Sequence, residues 1–191
     1  MDTNALLARL ARWLWPLAIA NLLANIGIVV TGAAVRLTGS GLGCPTWPRC
    51  SDESYVAHGE LGIHGVIEFG NRTLTFVLAA VAVLCFLAAL GAHHRRATRL
   101  SLVIGLGIPL QAVIGGITVL TDLNPWIVAG HFLLSMAMIM VCVALVALHI
   151  LGAALLAAGL ARIALAVLPH RATDEARADE QEQTSAATRL P

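Results

Sequence analysis

A chain of 191 residues with 58% hydrophobic and 12% charged residues, and a mean hydropathy of +0.82, cannot be an ordinary soluble domain, in which charged residues make up about 25%. Composition makes it an integral membrane protein in contact with membrane lipid. The formal net charge is only +1 and all twelve basic residues are arginine, so no nucleic-acid partner is expected. The absence of lysine beside abundant alanine reads as a GC-rich bacterial genome.

A spanning helix needs about 20 mostly apolar residues, and four stretches meet that length: 13 to 35, 63 to 92, 101 to 121 and 126 to 151. The expected fold is all-α, an integral membrane four-helix bundle over 1–151. The first apolar stretch runs on without a small-residue cleavage site and is not read as a cleavable signal. Arginine placement orients the spans, because cytoplasmic loops collect positive charge. Arg9 and Arg12 precede the first span, and the run 93–99, HHRRATR, joins the second to the third. The connection 121–125, TDLNP, has no basic residue, and the loop between the first two spans sets Arg36 and Arg49 against Asp52, Glu53 and Glu60. Both of these loops belong outside, which puts both termini in the cytoplasm of a multi-pass protein of a bacterial cell membrane. The segment 152–168 stays apolar but is interrupted by Gly152, Gly159 and Arg162, and reads as an interfacial or extended helix, with a fifth span as the competitor. The polar stretch 169–191 has too little apolar surface to offset its ordering entropy and is expected to be a disordered cytoplasmic tail.

Three segments concentrate the chemistry. In 31–50, TGAAVRLTGSGLGCPTWPRC, Cys44 and Cys50 lie in the outer loop, where a disulfide can persist. Their five-residue gap fits a loop staple better than the Cys-x-x-Cys of a thiol oxidoreductase. Cys85 and Cys142 sit in apolar spans, where a free cysteine packs as a small hydrophobe. In 64–72, HGVIEFGNR, Glu68 is the only acid between Glu60 and Asp122. An ionisable group inside a span costs about 2.5 to 3.5 kcal/mol and is functional by default; Arg72, four residues on, equally makes it one half of a helical ion pair. In 130–135, GHFLLS, His131 enters the fourth span from the same side, so that Glu68 and His131 each lie about 7 to 9 Å inward and can face one cavity. A lone histidine of this kind is otherwise a packed or hydrogen-bonded residue. Gln111 with Gly115 and Gly116 on the third span would admit a close backbone or a flat macrocycle, and would serve plain helix packing as well.

These motifs resemble the haem A synthase family, and specifically the N-terminal four-helix half of an actinobacterial-type member, one repeat of the usual two. The resemblance implies oxidation of the methyl group of haem O to the formyl of haem A for cytochrome oxidase biogenesis, with haem O as substrate, supplied by haem O synthase, and a haem b in the second repeat. It matches Glu68 to the family's catalytic carboxylate in the Glu-x-x-x-Arg frame, His131 to an axial ligand of haem iron, and Cys44 with Cys50 to a disulfide that supports haem transfer or loop shape. Arg36 and Arg72 could pair haem propionates, Arg36 being equally an interfacial anchor. One departure stands out: the family carries histidine three residues after the glutamate, and this chain has Asn71. His64, about 10 Å away along the helix, cannot replace it at the same iron but could ligate a haem nearer the surface. No second Glu-x-x-x-Arg or Gly-His-Phe element occurs, which leaves a homo-oligomer, a separately encoded second half, or a remnant without activity. Two further functions stay open: a membrane module that binds haem b for electron transfer without oxidising it, and a thiol-disulfide oxidoreductase using Cys44 and Cys50, which lacks the usual second cysteine pair.

Overall fold

In a computed structural model, the structure describes the backbone of residues 3–187 and the side chains of residues 3–165, and all regular structure among the described residues is helical. A short helix, α1 (Thr3–Ala11), leads into α2 (Leu14–Leu37); a long loop and one 3-10 turn (Gly59–Leu61) follow, then α3 (Gly62–Gly91), α4 (Arg95–Leu120) and α5 (Pro125–Ala187). Four helices are long and apolar enough to cross a membrane, with α5 qualifying over Pro125–Leu165. The chain is a multi-pass membrane helical bundle.

Local chemistry sets the ends. The N–H of Ser40 returns to the carbonyl of Val35 and closes α2. The His94 ring accepts the Ala97 N–H and caps α4, so this helix starts several residues before its apolar stretch. At the far connection Asn124 Oδ1 accepts the Trp126 N–H at 3.0 Å and Pro125 occupies the first helical position, where its missing N–H costs nothing.

The chain divides into two units, Met1–Leu148 and His149–Pro191. In the first, α3 is the central element, packed by α1, α2 and α4. Its inward positions are small, with Ala82, Cys85, Ala88 and Ala89 almost completely buried, as expected where helices associate by close approach rather than by expelling water. Ile104 and Ile108 of α4 and Met138, Cys142 and Leu145 of α5 complete the core, while large side chains such as Leu23, Phe76 and Leu133 remain exposed to face lipid. Cys85 and Cys142 are free and buried, in the packing role anticipated for them.

The second unit is the continuation of α5, and the backbone shows no break at 151–152 or at 168–169. The stretch expected to be a disordered tail is instead helical as far as Ala187. Once a helix is nucleated, propagation needs only one further bond per residue, and the Ala, Glu, Gln and Arg of this stretch are strong helix formers. Side chains from 166 onward, and residues 188–191 entirely, lie outside the described residues.

A polar pair lies within the apolar core: Asn21 is fully buried and Asn25 nearly so, and Asn25 Nδ2 donates to the carbonyl and to Oδ1 of Asn21 at 2.9 and 3.2 Å. Asn21 Nδ2 meets no oxygen acceptor and lies beside the Cys85 thiol. Replacing both asparagines by leucine removes donors and acceptors together and is expected to leave stability within about 1 kcal/mol of the parent. Asn21→Ala alone should cost about 2 kcal/mol, through the lost acceptor and the cavity. Unfolding of the detergent-solubilised protein reads both, and equal losses would show that the pair does more than satisfy itself.

Candidate functional site

The site is assembled where the long loop between α2 and α3 folds back onto α3. Arg72 spends all five of its N–H donors there: Nη2 donates to the Cys44 carbonyl at 2.8 Å, Nη1 to the carbonyls of Thr46 and Arg49 at 2.9 and 3.1 Å, and Nε and Nη2 both reach Glu68 Oε1. The second carboxylate oxygen, Oε2, accepts the Cys44 N–H at 2.8 Å. Cys44 is thus held by both of its backbone polar groups, one by each partner of the ion pair. Its sulfur is bonded to Cys50 across a Cα–Cα distance of 4.3 Å, and both residues are buried. With the two sulfurs buried and paired, the thiol-oxidoreductase reading finds no exposed nucleophile at this loop.

Close packing seats the loop. A Cβ on Gly43 would fall on the backbone carbonyl of His64, so this crossing of loop and α3 requires glycine. On α4, the indole of Trp47 lies flat on Gly116, where a Cβ would meet Cγ and Cε2 at 2.6 Å. The neighbouring Gly115 is covered by His131, whose ring carbon Cε1 stands 3.3 Å and Nε2 3.7 Å from where its Cβ would be. The paired glycines anticipated as a place of close approach therefore receive one indole from the loop and one imidazole from α5.

His131 is half-buried, and its Nδ1 is fully enclosed without a hydrogen-bond partner. The backbone around it is held by Ser135, whose Oγ donates to the His131 carbonyl at 2.9 Å, and by Gln111, whose Nε2 donates to Ser135 Oγ at 2.7 Å. Glu68 makes its hydrogen bonds to the loop and to Arg72 and none to His131. The two are linked through the loop, which is fastened to Glu68 at Cys44 and rests on Gly116 at Trp47.

The other sequence-derived positions separate. Asn71 Oδ1 takes the Thr31 hydroxyl at 2.7 Å, which commits it to the α2–α3 contact. His64 is exposed, with Nδ1 2.8 Å from Ser40 Oγ, itself 2.8 Å from Thr38 Oγ1. Arg36 is exposed at the end of α2. Arg72, offered by the sequence both as a propionate partner and as the ion-pair partner of Glu68, directs its donors to that i,i+4 carboxylate and to three loop carbonyls. Sequence reasoning had the Glu68–Arg72 spacing but not the carbonyls, since any residue supplies a carbonyl. It had the glycine pair but not Trp47 as its cover.

Residues 12–190 match the family model COX15-CtaA, described as cytochrome oxidase assembly protein. The chain belongs to this family. Heme A synthase of Geobacillus thermodenitrificans is 32% identical over 111 residues, 54% of this chain and 32% of that protein. Heme A synthase of Bacillus licheniformis is 30% identical over 126 residues, covering 63% and 40%, and that of Listeria welshimeri 34% identical over 108 residues, covering 55% and 35%. In these alignments the chain spans between 32% and 40% of its relatives' length. No solved structure matches it.

The residues present suit a haem with one protein ligand. A half-buried imidazole seated on Gly115 is a donor of the kind that haem iron takes. Asn71, bound to Thr31, adds no second ligand, and His64 keeps only Nε2 uncommitted.

Proposed function

We propose that the chain is the substrate-binding bundle of a haem A synthase, which holds haem O in the outer half of the membrane while its methyl substituent is oxidised to the formyl of haem A. The observation that carries this reading is the half-buried His131 ring seated on Gly115, in a chain of this family. Bound haem supplies the redox-active iron and the methyl that reacts. His131 holds the iron from α5, and Trp47, on the adjacent glycine, shields the site from water at its outer end. Glu68 is the candidate catalytic carboxylate. Its Oε2, bonded to the Cys44 amide, is the atom that stabilises charge or accepts a proton, and Arg72 holds the other oxygen fixed. Arg36 is the guanidinium open to a propionate, and His64 Nε2 is open to a haem placed nearer the surface. The outer loop faces away from the cytoplasm and both termini lie inside, in keeping with the arginine distribution. A homodimer or a separate second half, carrying a haem b for electron transfer, completes the unit, and haem O synthase delivers the substrate.

A second reading, a haem-b-binding electron-transfer module without oxidation, is favoured by two commitments: Asn71 is tied to Thr31, and both oxygens of Glu68 are engaged. Haem extraction from membranes that express the chain with a haem O supply separates the two. Haem A should accumulate with the unmodified chain and be lost with His131→Ala and with Glu68→Gln. Bound haem b and no haem A would select the module instead.

A further inference from the structure

Two buried polar atoms beside the glycine pair lack partners: His131 Nδ1 and Gln111 Oε1. The residues that carry them are neighbours in space. Gln111 lies one turn before Gly115 on α4, the His131 ring covers Gly115, and Gln111 Nε2 is 3.4 Å from the His131 carbonyl. The two atoms are also complementary, since an amide oxygen can only accept and a ring nitrogen carrying its proton donates.

The orientation of the amide follows from the hydrogen bonds around it. The single hydroxyl hydrogen of Ser135 goes to the His131 carbonyl, so Ser135 Oγ must accept from Gln111, and the atom facing it is Nε2. The amide oxygen is thereby turned to the other side and held there. A polar group left unpaired inside an apolar bundle is destabilising, and a hydrogen bond between these two, direct or through one bridging water, would satisfy both.

We propose that Gln111 is a positioning residue for His131: its Oε1 accepts the Nδ1–H, which fixes the ring tautomer and leaves the Nε2 lone pair to face haem iron. Metal-bound histidines commonly pass their second N–H to an oxygen acceptor of this kind. This rests on the reading of His131 as the haem ligand, and adds to it the residue that selects which nitrogen binds. Ser135 acts one step further back, as the group that holds the Gln111 amide.

The test uses the full chain in detergent. With ¹⁵N-labelled histidine and no haem added, the ring signals of His131, assigned by their loss in His131→Ala, should report the Nδ1–H tautomer, and Gln111→Leu should shift them toward Nε2–H. With haem titrated in, Gln111→Leu should weaken binding by about 10- to 100-fold and lower the iron–histidine stretching frequency. Gln111→Glu, which keeps an acceptor at that place, should retain binding and raise the frequency. A purely structural role for Gln111 would lower stability in both variants and move neither the tautomer nor the frequency, and that result overturns the proposal. If His131→Ala leaves haem binding unchanged, the ligand assignment fails first. If His131→Ala abolishes binding while Gln111→Leu matches the parent in all three readouts, the ligand stands and the positioning role falls.

Discussion

Arg72→Ala is expected to lower the stability of the detergent-solubilised protein by about 3–5 kcal/mol, the usual result of removing one partner from a buried ion pair. The variant strips five hydrogen bonds in one step and leaves Glu68, only 5% exposed, with backbone amides of the loop at Gly43 and Cys44 as its remaining donors. Arg72→Lys should recover less than half of the loss, because three donors on one ammonium cannot meet a carboxylate and three separate carbonyls. Adding Glu68→Gln to Arg72→Ala should give back part of the stability by removing the charge left alone. The loop should also come loose: the Arg49 carbonyl is one of those released, and tryptic cleavage after Arg49 should become faster by at least an order of magnitude. Unchanged stability and cleavage in Arg72→Ala would mean that the loop is held by other contacts.

Gly116→Leu attacks the second attachment of the same loop. With Trp47 Cγ and Cε2 at 2.6 Å from where a Cβ would begin, the indole must leave α4, and overpacking of this kind costs about 1–3 kcal/mol. Its functional effect should exceed its effect on stability, because the loop that carries Trp47 covers the glycine next to the one under His131. Haem binding is expected to fall by at least tenfold. Trp47→Ala in the Gly116→Leu background should restore stability toward that of Trp47→Ala alone, since the colliding ring is gone. If the double variant is as unstable as the sum of the two singles, the indole is not what Gly116 accommodates.

Much of the fold was legible in the sequence, because apolar length is a direct reading of bilayer thickness. The first span was expected at 13–35 and α2 runs Leu14–Leu37; the second at 63–92 and α3 runs Gly62–Gly91. The misses share one cause: hydropathy reports where lipid is, not where helix is. α1, with 9 residues, is too short to register as a span. α4 begins at Arg95 because His94 caps it, ahead of its apolar stretch, and α5 continues past its apolar part on helix propensity alone.

The candidate site divides along a similar line. The Glu68–Arg72 pair follows from four-residue spacing on one helix. Whatever depends on contacts between distant segments did not: Arg72 on the Cys44, Thr46 and Arg49 carbonyls, Trp47 on Gly116, and Asn71 on Thr31. The loop carbonyls that Arg72 takes beside Glu68 were not legible for the same reason, because a guanidinium near an irregular loop finds backbone acceptors that residue identity does not reveal.

The most direct test of the central claim, that this bundle holds haem through His131, is a haem titration of the purified full chain followed by optical and resonance Raman spectra, with His131→Ala and Arg36→Ala alongside. The account predicts a saturable histidine-ligated spectrum for the unmodified chain, its loss or a weakening of at least tenfold in His131→Ala, and an unchanged iron ligand in Arg36→Ala. The same spectrum and affinity with and without His131 would contradict it.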